Sequence, residues 1–67
     1  MHDSWNMIVC CDKDWTITTG IASFYGKKII DVMNWVKGQC DAYEHSYTME
    51  VIFLPQDCYR IIFTFVD

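Results

Sequence analysis

Apolar and polar positions alternate from Trp5 to Cys11, with Trp5, Met7, Val9 and Cys11 on one parity and Asn6, Ile8 and Cys10 on the other. That two-residue period is the signature of a strand. The polar Asp12-Lys13-Asp14 interrupts it, and Trp15-Thr16-Ile17-Thr18-Thr19 resumes it with β-branched residues, which predicts a hairpin of strands over 5–11 and 15–19. Beyond Gly20 the period lengthens. Tyr25, Ile29, Val32, Met33, Val36 and Cys40 gather within an arc of about 60° when successive residues are rotated by ~100°, which predicts a helix over 23–37 with one buried stripe. The Ser23 hydroxyl can accept from a free amide of a first turn, and Gly38 can take the left-handed conformation that ends helices, so these two residues mark its expected ends. Residues 39–46 are polar and read as a loop. Two more alternating runs, 47–54 and 59–66, flank Pro55-Gln56-Asp57-Cys58, whose proline suits the corner of a turn.

One parity of this second hairpin is apolar throughout: Tyr47, Met49, Val51 and Phe53 on one strand, Tyr59, Ile61, Phe63 and Phe65 on the other. That face is expected beneath the helix. The fold class that follows is α+β, a single small domain spanning 1–67 in ββαββ order, with an antiparallel four-stranded sheet and one helix on one face. A 67-residue chain buries only roughly 60% of the surface its unfolded form exposes. Stability then needs an unusually apolar core or a partner. The residues supply the first: one leucine and two alanines stand against eight isoleucines, three tryptophans, four phenylalanines and four tyrosines, a mixture that favours strands and excludes low-complexity disorder.

Charge narrows the classes of partner. Nine acidic against five basic residues give a net charge of −4, which disfavours a phosphate-tracking surface and direct nucleic-acid binding. It suits a basic partner instead. No apolar run approaches the ~20 residues needed to span a bilayer, so no membrane partner is expected. The opening Met1-His2-Asp3-Ser4-Trp5 lacks the basic and apolar regions of an export signal, which gives a cytoplasmic expectation.

Cys10, Cys11, Cys40 and Cys58 read as free, partly buried thiols, because adjacent strand residues point to opposite faces and cannot share one zinc. No CxxC, HxxxH or DxDxDG spacing occurs, so neither a metal nor a cofactor is expected. Cys40, Asp41, Glu44 and His45 lie close in sequence and hold the raw material of a thiol nucleophile. Nothing nearby completes a catalytic set, and the expectation is a protein without enzymatic activity.

Three surfaces remain as candidates for binding. If the chain runs up and down through the ββαββ order, the first turn, the end of the helix and the last residue meet at one end, bringing together Asp12, Asp14, Asp41, Glu44 and Asp67. Asp41 and Glu44 would follow the helix C-terminus, where carboxylates are unfavourable, and local rules are most often broken at functional sites. Second, Phe24 and Trp35 project away from the helical stripe and are expected as exposed aromatic anchors. Third, the sheet face away from the helix collects Ile8, Cys10, Ile52, Leu54, Ile62 and Val66, an apolar patch of the kind that marks an interaction site. Glu50 and Arg60 share that outward parity and can limit it by pairing.

In size, charge and element order the chain is similar to the short acidic proteins with which bacteriophages inhibit host enzymes and defence complexes, anti-CRISPR proteins among them. The likeness rests on no residue-level motif. It implies an inhibitor or adaptor, in the host cytoplasm, that docks on a basic surface of another protein, nucleic-acid-binding proteins included. A rival expectation is a structural component that forms homodimers through the open face around Ile52 and Ile62. An artificial sequence with no natural partner is the third.

Overall fold

The computed structural model describes residues 3–67, so Met1 and His2 of the opening segment lie outside the described residues. Its elements are β1 (Ser4–Cys11), β2 (Ile17–Thr19), a 3-10 turn (Ala22–Phe24), α1 (Ile29–Tyr43), β3 (Ser46–Leu54) and β4 (Cys58–Val66). The order is ββαββ, and the strands form one antiparallel sheet in the order β2-β1-β4-β3. The first and last strands, β1 and β4, are the central pair, and β3 is a full-length edge.

The register turns the alternation into layers. Across β1, β4 and β3 the helix-side rows are Trp5–Phe65–Tyr47, Met7–Phe63–Met49, Val9–Ile61–Val51 and Cys11–Tyr59–Phe53. Onto them α1 lays Ile29, Val32, Val36 and Cys40, and the core closes around Val9, Cys11, Ile17, Ile61, Phe63 and Phe65. Six of these side chains, among them Phe63 and Val32, are wholly shielded from solvent, and burying each large one stabilises the fold by about 1.5–3 kcal/mol.

The helix occupies Ile29–Tyr43, not 23–37. Gly26 has φ +82° and Lys28 is extended (φ −84°, ψ 152°), so no helical backbone can start at Ser23. Ala22–Phe24 forms only a single 3-10 turn, without a side-chain cap. Tyr25 lies outside the helix and half exposed, so it leaves the stripe, whereas the rest of the stripe holds. Gly38 is helical rather than terminal. The end falls instead at Glu44, which takes the left-handed conformation (φ 58°, ψ 37°) and donates its amide to the Cys40 carbonyl, as does His45 at 3.0 Å. The expected loop over 39–46 is thus largely the last turns of α1.

A second departure decides the topology. β2 spans only Ile17–Thr19, because Trp15 is left-handed (φ 64°) within a turn tied by the Asp12 carboxylate, which accepts from the amides of Asp14 (2.9 Å) and Thr16 (3.0 Å). After β2 the chain doubles back beside it. Ile17 donates to the Lys27 carbonyl (2.8 Å) and accepts from the Gly26 amide (2.9 Å), Thr16 bridges Lys28, and the Ile29 amide reaches the Trp15 carbonyl (2.9 Å). The helix therefore starts at the end that holds the two hairpin turns and runs toward the opposite end, where β1 begins and β4 finishes.

Candidate functional site

This path separates the acids that an up-and-down trace brings together. Asp12 and Asp14 sit at the hairpin end, while Asp41, Glu44 and Asp67 sit at the other. The single acidic pole is therefore not formed. The reason is the return of residues 20–28, a stretch the helical spacing assigns in large part to the helix. Asp12 also has a structural duty in its turn. Beside it, the Lys28 ammonium donates to the Asp14 carbonyl (3.0 Å) and the Thr16 hydroxyl (2.8 Å). At the hairpin end Asp12, Asp14, Asp31 and Asp57 are offset by Lys13, Lys27 and Lys28.

Among the described residues, the opposite end carries the larger excess of acid. Asp3, Asp41, Glu44 and Asp67 gather there, and the cation nearest them on the helix is Lys37, one turn above Asp41. The Asp3 amide donates to the Asp67 carboxylate at 2.9 Å, and the Asp67 amide to the Asp3 carbonyl at 3.3 Å, so the ends of β1 and β4 are clasped. Asp3 had no sequence signal as a site residue beyond its charge; only the β1–β4 pairing places it with the others.

Beside this acidic end lies an aromatic groove of about 380 Å³, formed between the start of β1, the C-terminal half of α1 and Ile21. Its walls are Trp5, Trp35, Tyr43, His45 and Phe65. Trp5 stacks on Phe65 with centroids 5.6 Å apart and meets the His45 ring edge-on at 5.1 Å; Tyr43 stacks against His45 at 6.2 Å. Trp5, Trp35 and Tyr43 are 43%, 45% and 66% exposed, so large ring surfaces face the groove and solvent. His45 Nδ1 is shielded there and finds no hydrogen-bond partner among the described residues.

Trp35 thus stands where an exposed anchor is expected. Phe24 does not: it is 8% exposed and packs edge-on against Trp35 with centroids 5.3 Å apart. Because the helix starts after it, Phe24 is a cover for the core, carried by the 3-10 turn. Its ring backs that of Trp35. Trp5 and Tyr43 were missed for a plain reason: Trp5 has the parity of the core face, and Tyr43 falls in the stretch read as a loop.

The open face is formed as expected. Ile8 pairs with Ile62 and Ile52 with Arg60, while Cys10, Leu54 and Thr64 complete the surface; Ile8 is 48% exposed and Ile52 and Ile62 are half-buried. Glu50 stands opposite Ile62, and Arg60 opposite Ile52 and Cys10, so the two charges are diagonal to each other and each breaks an apolar row.

The four cysteines are free. Cys40 points into the core, and burial, helped by Asp41, pushes its thiol above the ordinary range, which opposes the thiolate that nucleophilic chemistry with His45 needs. Among the described residues no three His, Cys, Asp or Glu side chains come together to hold a metal ion, and no helix is long and apolar enough to cross a membrane. No protein-family model, curated protein or solved structure matches the chain.

Proposed function

We propose that this chain is a protein-binding module, an inhibitor or adaptor, which sets its acidic end and the adjoining aromatic groove against a basic surface of another protein. The observation that carries this reading is the asymmetry of charge: Asp3, Asp41, Glu44 and Asp67 share one end with half-exposed Trp5 and Trp35, while the hairpin end is nearly neutral. An excess of carboxylates steers a cationic partner toward that end, and aromatic rings supply the contact energy once it arrives. Proteins that hold nucleic acid present basic surfaces of this kind, and occlusion of such a surface is how an acidic module of this size would inhibit. The test is affinity capture from a lysate of the native host across a salt series. Capture that weakens steadily as salt rises supports the reading; capture that is indifferent to salt argues against it.

A second reading rests on a different observation. β3 is an edge strand of nine residues without a proline, lysine or bulge, with Phe53 74% exposed, and the open face beside it carries Ile52 and Ile62. Edges left unguarded in this way pair with other strands. Self-association through β3 and the open face predicts a dimer in sedimentation at high concentration that an Ile52→Lys variant dissociates. A strictly monomeric species removes this reading and leaves the first untouched.

A further inference from the structure

β1 has two edges, and only one is filled along its length. β4 covers one side from Ser4 to Cys11, whereas β2 covers the other only at Cys10 and Cys11. Backbone groups alternate in direction along an antiparallel strand. The Asp67 amide bonds the Asp3 carbonyl, and Cys10 pairs with Thr19 on the opposite side, so odd residues of β1 face β4 and even residues face the β2 side. Ser4 and Asn6, both exposed, thus turn their amides and carbonyls to an edge that no described strand fills. Gly20 closes that edge from above, since a Cβ there would lie 2.9 Å from the Ile8 carbonyl oxygen and the Val9 Cα.

The aromatic groove opens directly beside this free edge, with Trp5, Asn6 and Met7 on its β1 wall and Trp35 and Tyr43 on its helix wall. A strand laid along Ser4 and Asn6 would point every second side chain into the groove. We infer that an extended basic segment of the partner adds to the sheet here, antiparallel to β1 and below β2, with an apolar side chain in the groove and lysines or arginines on the alternate positions. This rests on the acidic-end reading, from which it takes the sign of the occupant's charge. A second copy of this chain is a poor occupant: its basic residues are Lys13, Lys27, Lys28, Lys37 and Arg60, none of them in a free, alternating strand.

Antiparallel pairing makes a stereochemical demand. Residues directly opposite Ser4 and Asn6 share their outward parity and exchange backbone hydrogen bonds with them. In a labelled peptide acetyl-Lys-Val-Lys-Phe-Lys-Val-amide, the lysine amides face β1 when the Phe ring enters the groove. N-methylation of the lysine amides should therefore weaken binding by about tenfold or more, while N-methylation of the Val and Phe amides leaves it nearly unchanged. Hydrogen exchange on the intact chain supplies a second readout: the peptide should slow exchange at the Ser4 and Asn6 amides and leave Trp5 and Met7, already bonded to β4, as they were. Equal binding of both methylated peptides would mean attraction by charge alone and would overturn strand addition while leaving the acidic-end reading standing. Failure of the unmethylated peptide to bind, with partner capture intact, would overturn it as well.

Discussion

Trp5 and His45 meet edge to face, ring centroids 5.1 Å apart and planes at 86°, which ties the start of β1 to the link between α1 and β3. The contact holds the mouth of the groove in shape. Replacing Trp5 with alanine should remove a wall without unfolding the domain, because the ring is 43% exposed; a loss of about 1–2 kcal/mol is expected from the contact and partial burial. Urea unfolding checks the stability, and the ring-current shifts of the His45 imidazole protons should lose the Trp5 contribution and keep that of Tyr43.

Gly20 and Gly38 differ in what their backbone requires. Gly20→Ala should be clearly destabilising, by about 1–3 kcal/mol, since φ is +123° and the new methyl would meet β1 backbone at 2.9 Å. Gly38→Ala should stabilise by roughly 0.5–1 kcal/mol, because the residue is mid-helix with open space around it. Thermal unfolding of the two variants gives shifts of opposite sign.

Phe63 and Phe53 share a face but not a fate. Phe63 is fully buried and packs with Tyr47 and Phe65, so Phe63→Ala should cost about 3–5 kcal/mol and leave little folded protein in a domain this small. Phe53 is 74% exposed on the edge strand and touches Tyr59, and its replacement by alanine should cost less than about 1 kcal/mol. Circular dichroism with denaturant titration distinguishes them.

The buried thiols give a pH dependence with a definite sign. Burial raises the Cys11 pKa, with the charges of Asp12, Cys10 and Cys58 adding, and burial raises that of Cys40, with Asp41 adding. A folded value above the unfolded one favours the neutral thiol in the fold, so this contribution is complete below the ordinary value of 9.0 and is lost as pH rises through the folded values. Stability should fall more steeply above about pH 9 in the parent chain than in a Cys11→Val variant, which cannot titrate there. Cys10 and Cys58, both partly exposed, should also be alkylated faster than Cys11 and Cys40.

Much of the fold was legible in the residues. The alternation of Trp5 to Cys11 and of the final hairpin carried strand limits to within one residue, because a half-buried sheet leaves a period of two wherever it runs. The stripe of Ile29, Val32, Val36 and Cys40 likewise marked the helix face. What failed was the boundary between periods. Tyr25 continues the apolar spacing by accident, just after a 3-10 turn, and Gly26 breaks the helix by a positive φ that no neighbouring residue announces. Glu44, a residue with no preference for left-handed backbone, ended the helix where a glycine six positions earlier invited a stop. The return of residues 20–28 beside β2 reversed the helix, and with it the grouping of the acids. The groove was legible only in part, since Trp35 stood out by its angle while Trp5 and Tyr43 depended on which end the helix reached.

The proposed binding end holds Asp41 and Glu44, and the hairpin end holds Asp12 and Asp14. Two variants with the same change in charge separate these ends: Asp41→Asn with Glu44→Lys, and Asp12→Asn with Asp14→Lys, in which the side-chain amide at position 12 keeps an oxygen to tie the first turn. With both confirmed as folded, partner capture at moderate salt is the measurement. Loss of capture in the first variant and near-normal capture in the second is the predicted result; equal loss in both, or retention in the first, would contradict binding at the Asp41 and Glu44 end.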